Sequence, residues 1–155
     1  MPTFKNIKSM MNYVQSNVKE ILSSNEIQNI IKETIRDVIM DEVYDKYDPT
    51  QYVRRYDEGG FSDKRNYICK INISNNYVSV TIFNDTTANG DNGNDYLDEI
   101  IYRGDMYTWE NSKIYQMMPY PRNWINESVN RLYDSGELMK RLSKRLSERG
   151  IKIIY

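Results

Sequence analysis

Residues 69–82 read CKINISNNYVSVTI. Cys69, Ile71 and Ile73 alternate with Lys70 and Asn72; Val78, Val80 and Ile82 alternate with Ser79 and Thr81. A period of two is the mark of a strand with one covered face. Two such runs joined by Asn75-Asn76 predict an antiparallel β-hairpin. Cys69 falls on the covered parity, so it is expected to be a buried, chemically quiet thiol.

On both sides of this hairpin the period changes. Phe4, Ile7, Met11, Val14, Val18 and Ile21 step by three, four, three, four, three, a seven-residue apolar repeat that predicts an amphipathic helix. Ser23-x-x-Glu26 has the form of a capping box opening a second helix over about Asn25 to Tyr44, with Ile27, Ile30, Ile31, Ile35, Val38 and Ile39 on its inner face. Whether the chain turns or only kinks at Ser23–Asn25 is open at this level. Asp48-Pro49 stops the helix, because proline disfavours helical backbone at the residue before it. Beyond the hairpin, Leu97, Ile100 and Ile101 suit a short helix ending near Gly104, and Lys113–Met117 suits a strand.

Ile125, Val129 and Leu132, then Met139, Leu142 and Leu146, set out one seam of a long C-terminal helix. Gly136 lies on that seam, where the helix either runs through or breaks. Gly150 fits a stop, and Ile151, Ile153 and Ile154 make a terminal strand or docking tail. The expected fold is therefore α+β: N-terminal amphipathic helices, a small antiparallel sheet with a hairpin, and a long C-terminal helix. At 155 residues the expectation is a single domain. Residues 1–45 form its helical region, 46–120 a β-rich region with loops, and 121–155 the C-terminal helix and tail.

Composition narrows the function. There is one cysteine and no histidine, so the usual structural zinc sets are excluded and a nucleophile would need another base. Asp98 and Glu99 are adjacent and read as solvated, not as an acid/base pair. The Asn/Asp/Gly-rich run from Asn84 to Asp95 reads as an exposed loop. Counted from Asp85 as a calcium loop, it puts Gly90 at the sixth position but Tyr96 where a bidentate Glu is needed. No phosphate-binding glycine pattern occurs. No enzymatic activity, cofactor, metal or small-molecule substrate is expected. The start, MPTFKNIKSM, lacks a signal peptide's apolar core, and no apolar run approaches the roughly 18 residues of a membrane span. Synthesis in the cytoplasm with no membrane contact is the expectation. Net charge is −1, which gives no global pull toward nucleic acid. Lys140, Arg141, Lys144, Arg145 and Arg149 could track phosphates, but cations near a helix C-terminus also suit its dipole.

What remains are two irregular stretches dense in rings and arginine: YDKYDPTQYVRRYDEGGF (44–61) and YTWENSKIYQMMPYPRNW (107–124). The chain holds 14 tyrosines against three phenylalanines, a bias that suits contact surfaces, where a ring with a polar tip is useful. The candidate interface residues are Tyr44, Tyr47, Tyr52, Arg54, Arg55, Tyr56, Tyr107, Trp109, Arg122 and Trp124. They either touch a neighbouring subunit or brace the loop that does. In the plainer alternative the rings cover a sheet edge and the arginines pair with Asp57 and Glu58.

Three blocks in these regions resemble a family of small morphogenesis proteins of tailed bacteriophages, the minor structural, tail-completion or head–tail joining proteins. The first is Val43-Tyr44-x-x-Tyr47-x-Pro49-x-x-Tyr52-x-Arg54-Arg55-Tyr56 followed by Gly59-Gly60-Phe61. The second is Leu97-Asp98-Glu99-Ile100-Ile101, then Gly104 and Tyr107-Thr108-Trp109. The third is Pro121-Arg122 opening the helix that ends Leu146-x-x-Arg149-Gly150-Ile151. Arg122 is followed by Asn123-Trp124, where the family pattern has proline and an aromatic residue. The resemblance implies an α+β fold and no enzymatic activity. It also implies a homo-oligomeric ring in the virion, at the neck or tail top, between proteins on the portal or adaptor side and on the tail-tube side. DNA contact would be secondary. From a different class, a small regulatory or inhibitor protein binding a host protein is the alternative, and a nucleic-acid binder using the basic C-terminal helix is the third.

Overall fold

The computed structural model describes residues 3–46, 53–74, 77–86, 97–104 and 120–153. The expected strand at 113–117, the proline stop at Pro49, the Asn75-Asn76 turn, most of the polar loop and Ile154 lie outside the described residues, as do Tyr47, Tyr52, Tyr107 and Trp109. The described chain is α+β, with five helices and a two-stranded antiparallel hairpin. The helices are α1 (Ile7–Leu22), α2 (Asn25–Ile39), α3 (Leu97–Arg103), α4 (Trp124–Ser135) and α5 (Glu137–Glu148), and the strands are β1 (Tyr67–Ile73) and β2 (Val78–Asn84). They fall into two compact units. One comprises Met1–Ile31, Cys69–Ile82 and Leu132–Tyr155; the other comprises Lys32–Ile68 and Phe83–Arg131. Each unit is assembled from segments far apart in sequence.

In the first unit, Asn6 starts α1. Its side chain accepts from the Ser9 amide at 2.8 Å and the Ser9 hydroxyl reaches back to the Asn6 amide at 3.3 Å, so two orphan donors are satisfied reciprocally. Phe4 therefore precedes the helix, and its ring packs on Tyr13 with centroids 5.3 Å apart. The chain does turn at Ser23–Ser24, but not through a Ser23–Glu26 box. Ser23 closes α1 by donating to the Lys19 carbonyl at 2.8 Å, and Ser24 precedes α2 and accepts weakly from the Ile27 amide at 3.5 Å. Glu26 is taken by Arg145, whose Nε donates to it at 2.8 Å, and by Arg141 at 3.4 Å.

Helix α5 packs along α1. The Arg149 guanidinium meets Glu20 at 2.6 and 2.7 Å and Asn17 at 3.0 Å, and the Tyr13 hydroxyl donates to the Arg149 carbonyl at 3.0 Å. Hydrogen bonding and charge from these arginines hold the Glu20 and Glu26 carboxyls below their usual range. Gly150, at φ +76°, ends the helix. Its amide bonds the Ser147 carbonyl and the Ile151 amide bonds the Leu146 carbonyl, both at 2.9 Å, which is a Schellman closure. Residues 151–153 continue without a strand.

The C-terminal helix breaks into α4 and α5 at Gly136, which adopts φ +61°. The seam on α4 is also shifted by one residue. Trp124 and Ser128 are buried while Ile125 and Val129 face outward. The Ser128 hydroxyl bonds back to the Trp124 carbonyl at 2.7 Å, so it needs no outside partner, and the indole takes the inner position with far more apolar area than Ile125 offers.

The inner row of α2 is as its spacing predicts: Ile27, Ile31, Ile35, Val38 and Ile39 are buried and only Ile30 is half-exposed. A π-helical turn over Met40–Tyr44 follows, closed by the Asp45 amide on the Met40 carbonyl at 2.8 Å, and buries Val43. In the hairpin, β1 opens two residues before the predicted alternation, at Tyr67, which is fully buried. Burial then fades along the strand, leaving Cys69 half-buried and Ile73 exposed. The parity was right and the depth was not: among the described residues no third strand covers the far end of the hairpin.

Candidate functional site

The first aromatic stretch ends in a loop knotted into the second unit. Gly59 sits at φ +81°, and a Cβ on Gly60 would lie 2.5 Å from the Tyr56 carbonyl oxygen. Only glycine admits that approach. The Gly60 amide closes on the Tyr56 carbonyl at 3.0 Å and the Asp63 amide on the Gly60 carbonyl at 3.1 Å. The buried Asp63 carboxylate accepts from the Gly59 amide at 2.8 Å, from the Arg65 amide at 2.9 Å and from the Arg65 guanidinium at 2.6 Å. The Arg65 hydrogen bond, aided by the two backbone donors, holds this carboxyl far below the normal carboxylate range despite its burial.

Phe61 is the anchor. Its carbonyl accepts from the Tyr67 hydroxyl at 2.7 Å and from the Asn84 amide group at 3.2 Å. Its ring meets Trp124 edge-on, centroids 5.3 Å apart at 90°, the geometry the ring quadrupoles favour. Beside it, Asn66 donates to the Gly60 carbonyl at 3.0 Å and to the Thr86 hydroxyl at 2.9 Å, and the Thr86 amide donates to Asn84 at 2.8 Å. Both feet of the hairpin thus grip the Gly59-Gly60-Phe61 turn. Burial pushes the Tyr67 hydroxyl well above its ordinary range, so it is a permanent donor.

Above this base stand the arginine and tyrosine residues. Tyr44 accepts from the Ser62 amide at 3.3 Å, its ring meets Tyr56 edge-on at 5.2 Å, and the Arg54 guanidinium lies 4.8 Å over it, within cation–π range. Asp57 pairs with Arg36 through two 3.1 Å bonds. Tyr56 holds φ +42°, a strained value for a bulky residue, and keeps its ring partly exposed. Arg55 is exposed, and Val53 is 91% exposed.

Of the ten candidate residues, then, Tyr44 and Arg54 brace the loop, Arg55 and Tyr56 present it, and Trp124 is buried in the same base. Arg122 is half-buried, its amide donating to the Ile101 carbonyl at 3.0 Å; the other four lie outside the described residues. The second aromatic stretch is anchored at a tight crossing. Gly104, at φ +69°, lies so close to Tyr120-Pro121 that a Cβ would come within 2.2 Å of the Pro121 nitrogen. Asn84 and Thr86, read as the start of an exposed polar loop, are buried instead, and sequence reasoning missed Asn66 and Asp63, because apolar periodicity carries no signal for a buried polar net. Asp98 also departs from expectation: it is half-buried, and that burial raises its carboxyl.

Among the described residues no cluster of three or more His, Cys, Asp or Glu is placed to hold a metal, and no helix is long and apolar enough to cross a membrane. Comparison with curated proteins and with solved structures gives no match. A protein-family model, YomN, matches residues 6–148, nearly the whole chain. The chain belongs to the YomN family, which is phage-derived.

Proposed function

We propose that this chain is a non-enzymatic structural protein of the phage particle, joining or closing the tail at the neck as a homo-oligomer held by surface contacts. The observation that carries this reading is the braced loop. Val53, Arg55 and Tyr56 are offered to solvent on a base fixed by Phe61, Asp63, Tyr67, Asn84 and Trp124. A contact residue held rigid before docking loses little entropy on binding, and arginine and tyrosine are the types that concentrate interface energy. Phage derivation agrees with this. The nucleic-acid reading is weakened because Arg141, Arg145 and Arg149 are already bound to Glu26 and Glu20 of the same chain.

The test is Val53→Asp with Arg55→Glu. Both side chains are exposed, so the isolated subunit should keep its stability within about 0.5 kcal/mol per site. Yield of complete particles should fall at least ~10-fold, the equivalent of losing about 1.4 kcal/mol of contact energy. Normal yields would remove this loop from the assembly contact.

A further inference from the structure

We propose that the exposed lysines of α1 and α5 form a contact surface for duplex DNA, holding its phosphate backbone without reading its sequence. The charge of the chain is unevenly divided. The first unit holds ten basic and five acidic residues, the second eleven and seventeen. A net charge of −1 therefore conceals one unit with a clear positive excess. Dissolved ions screen charge beyond about 10 Å at ~0.1 M salt, so a local excess acts on a ligand that touches it, whatever the sum over the chain.

Within that unit the two kinds of cation are used differently. Arginine is spent internally. Arg149 meets Glu20, Arg141 and Arg145 meet Glu26, and the latter two also meet Glu137 and Glu148. Four of the five acidic groups are thereby neutralised, which leaves lysine as the surplus. Lys8 and Lys19 on α1, Lys140 and Lys144 on α5, and Lys5 and Lys152 beyond the helix ends are all exposed. None of these six is in an ion pair among the described residues, whereas Lys46 and Lys64 of the other unit are, with Glu42 and Glu33. Glu26 feels the charge of Lys144, but its carboxylate is already bonded to Arg145.

This division selects the partner. Protein interfaces are enriched in arginine and depleted in lysine, so a second copy would call for arginines turned outward, the reverse of what α5 shows. Phosphate is met readily by lysine, a hydrated point charge on a flexible stem. An ammonium group lacks the fork by which guanidinium pairs two acceptors at once, so this face fixes the backbone and not the bases. Duplex DNA carries one negative charge per about 1.7 Å of its axis, a dense match for such a surface. The contact does not depend on the tail-joining reading.

The experiment titrates the full chain against two labelled duplexes of unrelated sequence at salt from about 50 to 200 mM. If the four helical lysines neutralise about four phosphates, log affinity falls with log salt at a slope near −3.6, a roughly 150-fold loss over that range. Both duplexes are expected to bind alike. Lys140→Gln with Lys144→Gln keeps helix propensity and should leave circular dichroism unchanged. It should halve the slope to about −1.8, leaving a loss of only about ten-fold. Lys46→Gln with Lys64→Gln in the other unit should bind as the wild type does. No binding at the lowest salt, a strong preference for one duplex, or a wild-type slope in the Lys140/Lys144 variant overturns the proposal. So does a variant that changes the chain's mass in solution and not its hold on DNA, which would make this face a subunit contact. The tail-joining reading then keeps its own test, the particle yield of the loop variant.

Discussion

Gly104→Ala is expected to cost about 4 kcal/mol or more and to leave the second unit without its native packing. Two independent penalties act at this position. The residue holds φ +69°, where a side chain costs roughly 1–2 kcal/mol. The added Cβ would also stand 2.2 Å from the Pro121 nitrogen and 2.3 Å from the Tyr120 carbonyl carbon. Those are backbone atoms, so relief requires moving the Arg122–Ile101 hydrogen bond and with it the start of α4. Gly136→Ala separates the two terms. It has φ +61° but nothing within 4 Å of the new Cβ, so only the backbone penalty of about 1–2 kcal/mol applies. Urea unfolding of both variants, followed by near-ultraviolet circular dichroism, measures the difference. Equal losses would mean the Gly104–Pro121 crossing is looser than its geometry.

Trp124→Ala should cost about 3–5 kcal/mol, the range for deleting a buried large aromatic. The indole is 6% exposed and meets Phe61 edge-on. Trp124→Phe should cost under about 1.5 kcal/mol. The reason lies in the polar tip: the indole Nε1 is buried with no hydrogen-bond partner among the described residues, so the substitution strands no partner among them. Denaturant midpoints of the two variants settle this. A phenylalanine variant as weak as the alanine one would show that the indole nitrogen has a partner, and that Trp124 does more than fill space against Phe61.

These predictions depend on features the sequence carried unequally. The α2 row, the hairpin parity and the stop at Gly150 were legible because periodicity and backbone chemistry are local. The break at Gly136 was one of two outcomes the seam allowed, and its positive φ decided it. The α4 phase was misread because two β-branched residues at helical spacing look like a core face, whereas Trp124 outweighs them in area and Ser128 bonds its own helix. Glu26 was misread as a cap because its true partners, Arg141 and Arg145, lie more than a hundred residues away. In the loop, residue types were informative but roles were not. Arg54, Tyr44 and Tyr56 are next to one another, and nothing in the composition distinguishes the ring that braces from the arginine that is presented.

The central claim is that this chain is a building part of a phage particle. Quantitative mass spectrometry of purified particles, with the portal protein as internal standard, tests it most directly. The account predicts that the chain is present at a constant whole-number copy per particle, as a closed ring requires. Particles that are complete and infectious but contain none of it, while it is abundant in the lysate, would contradict the account.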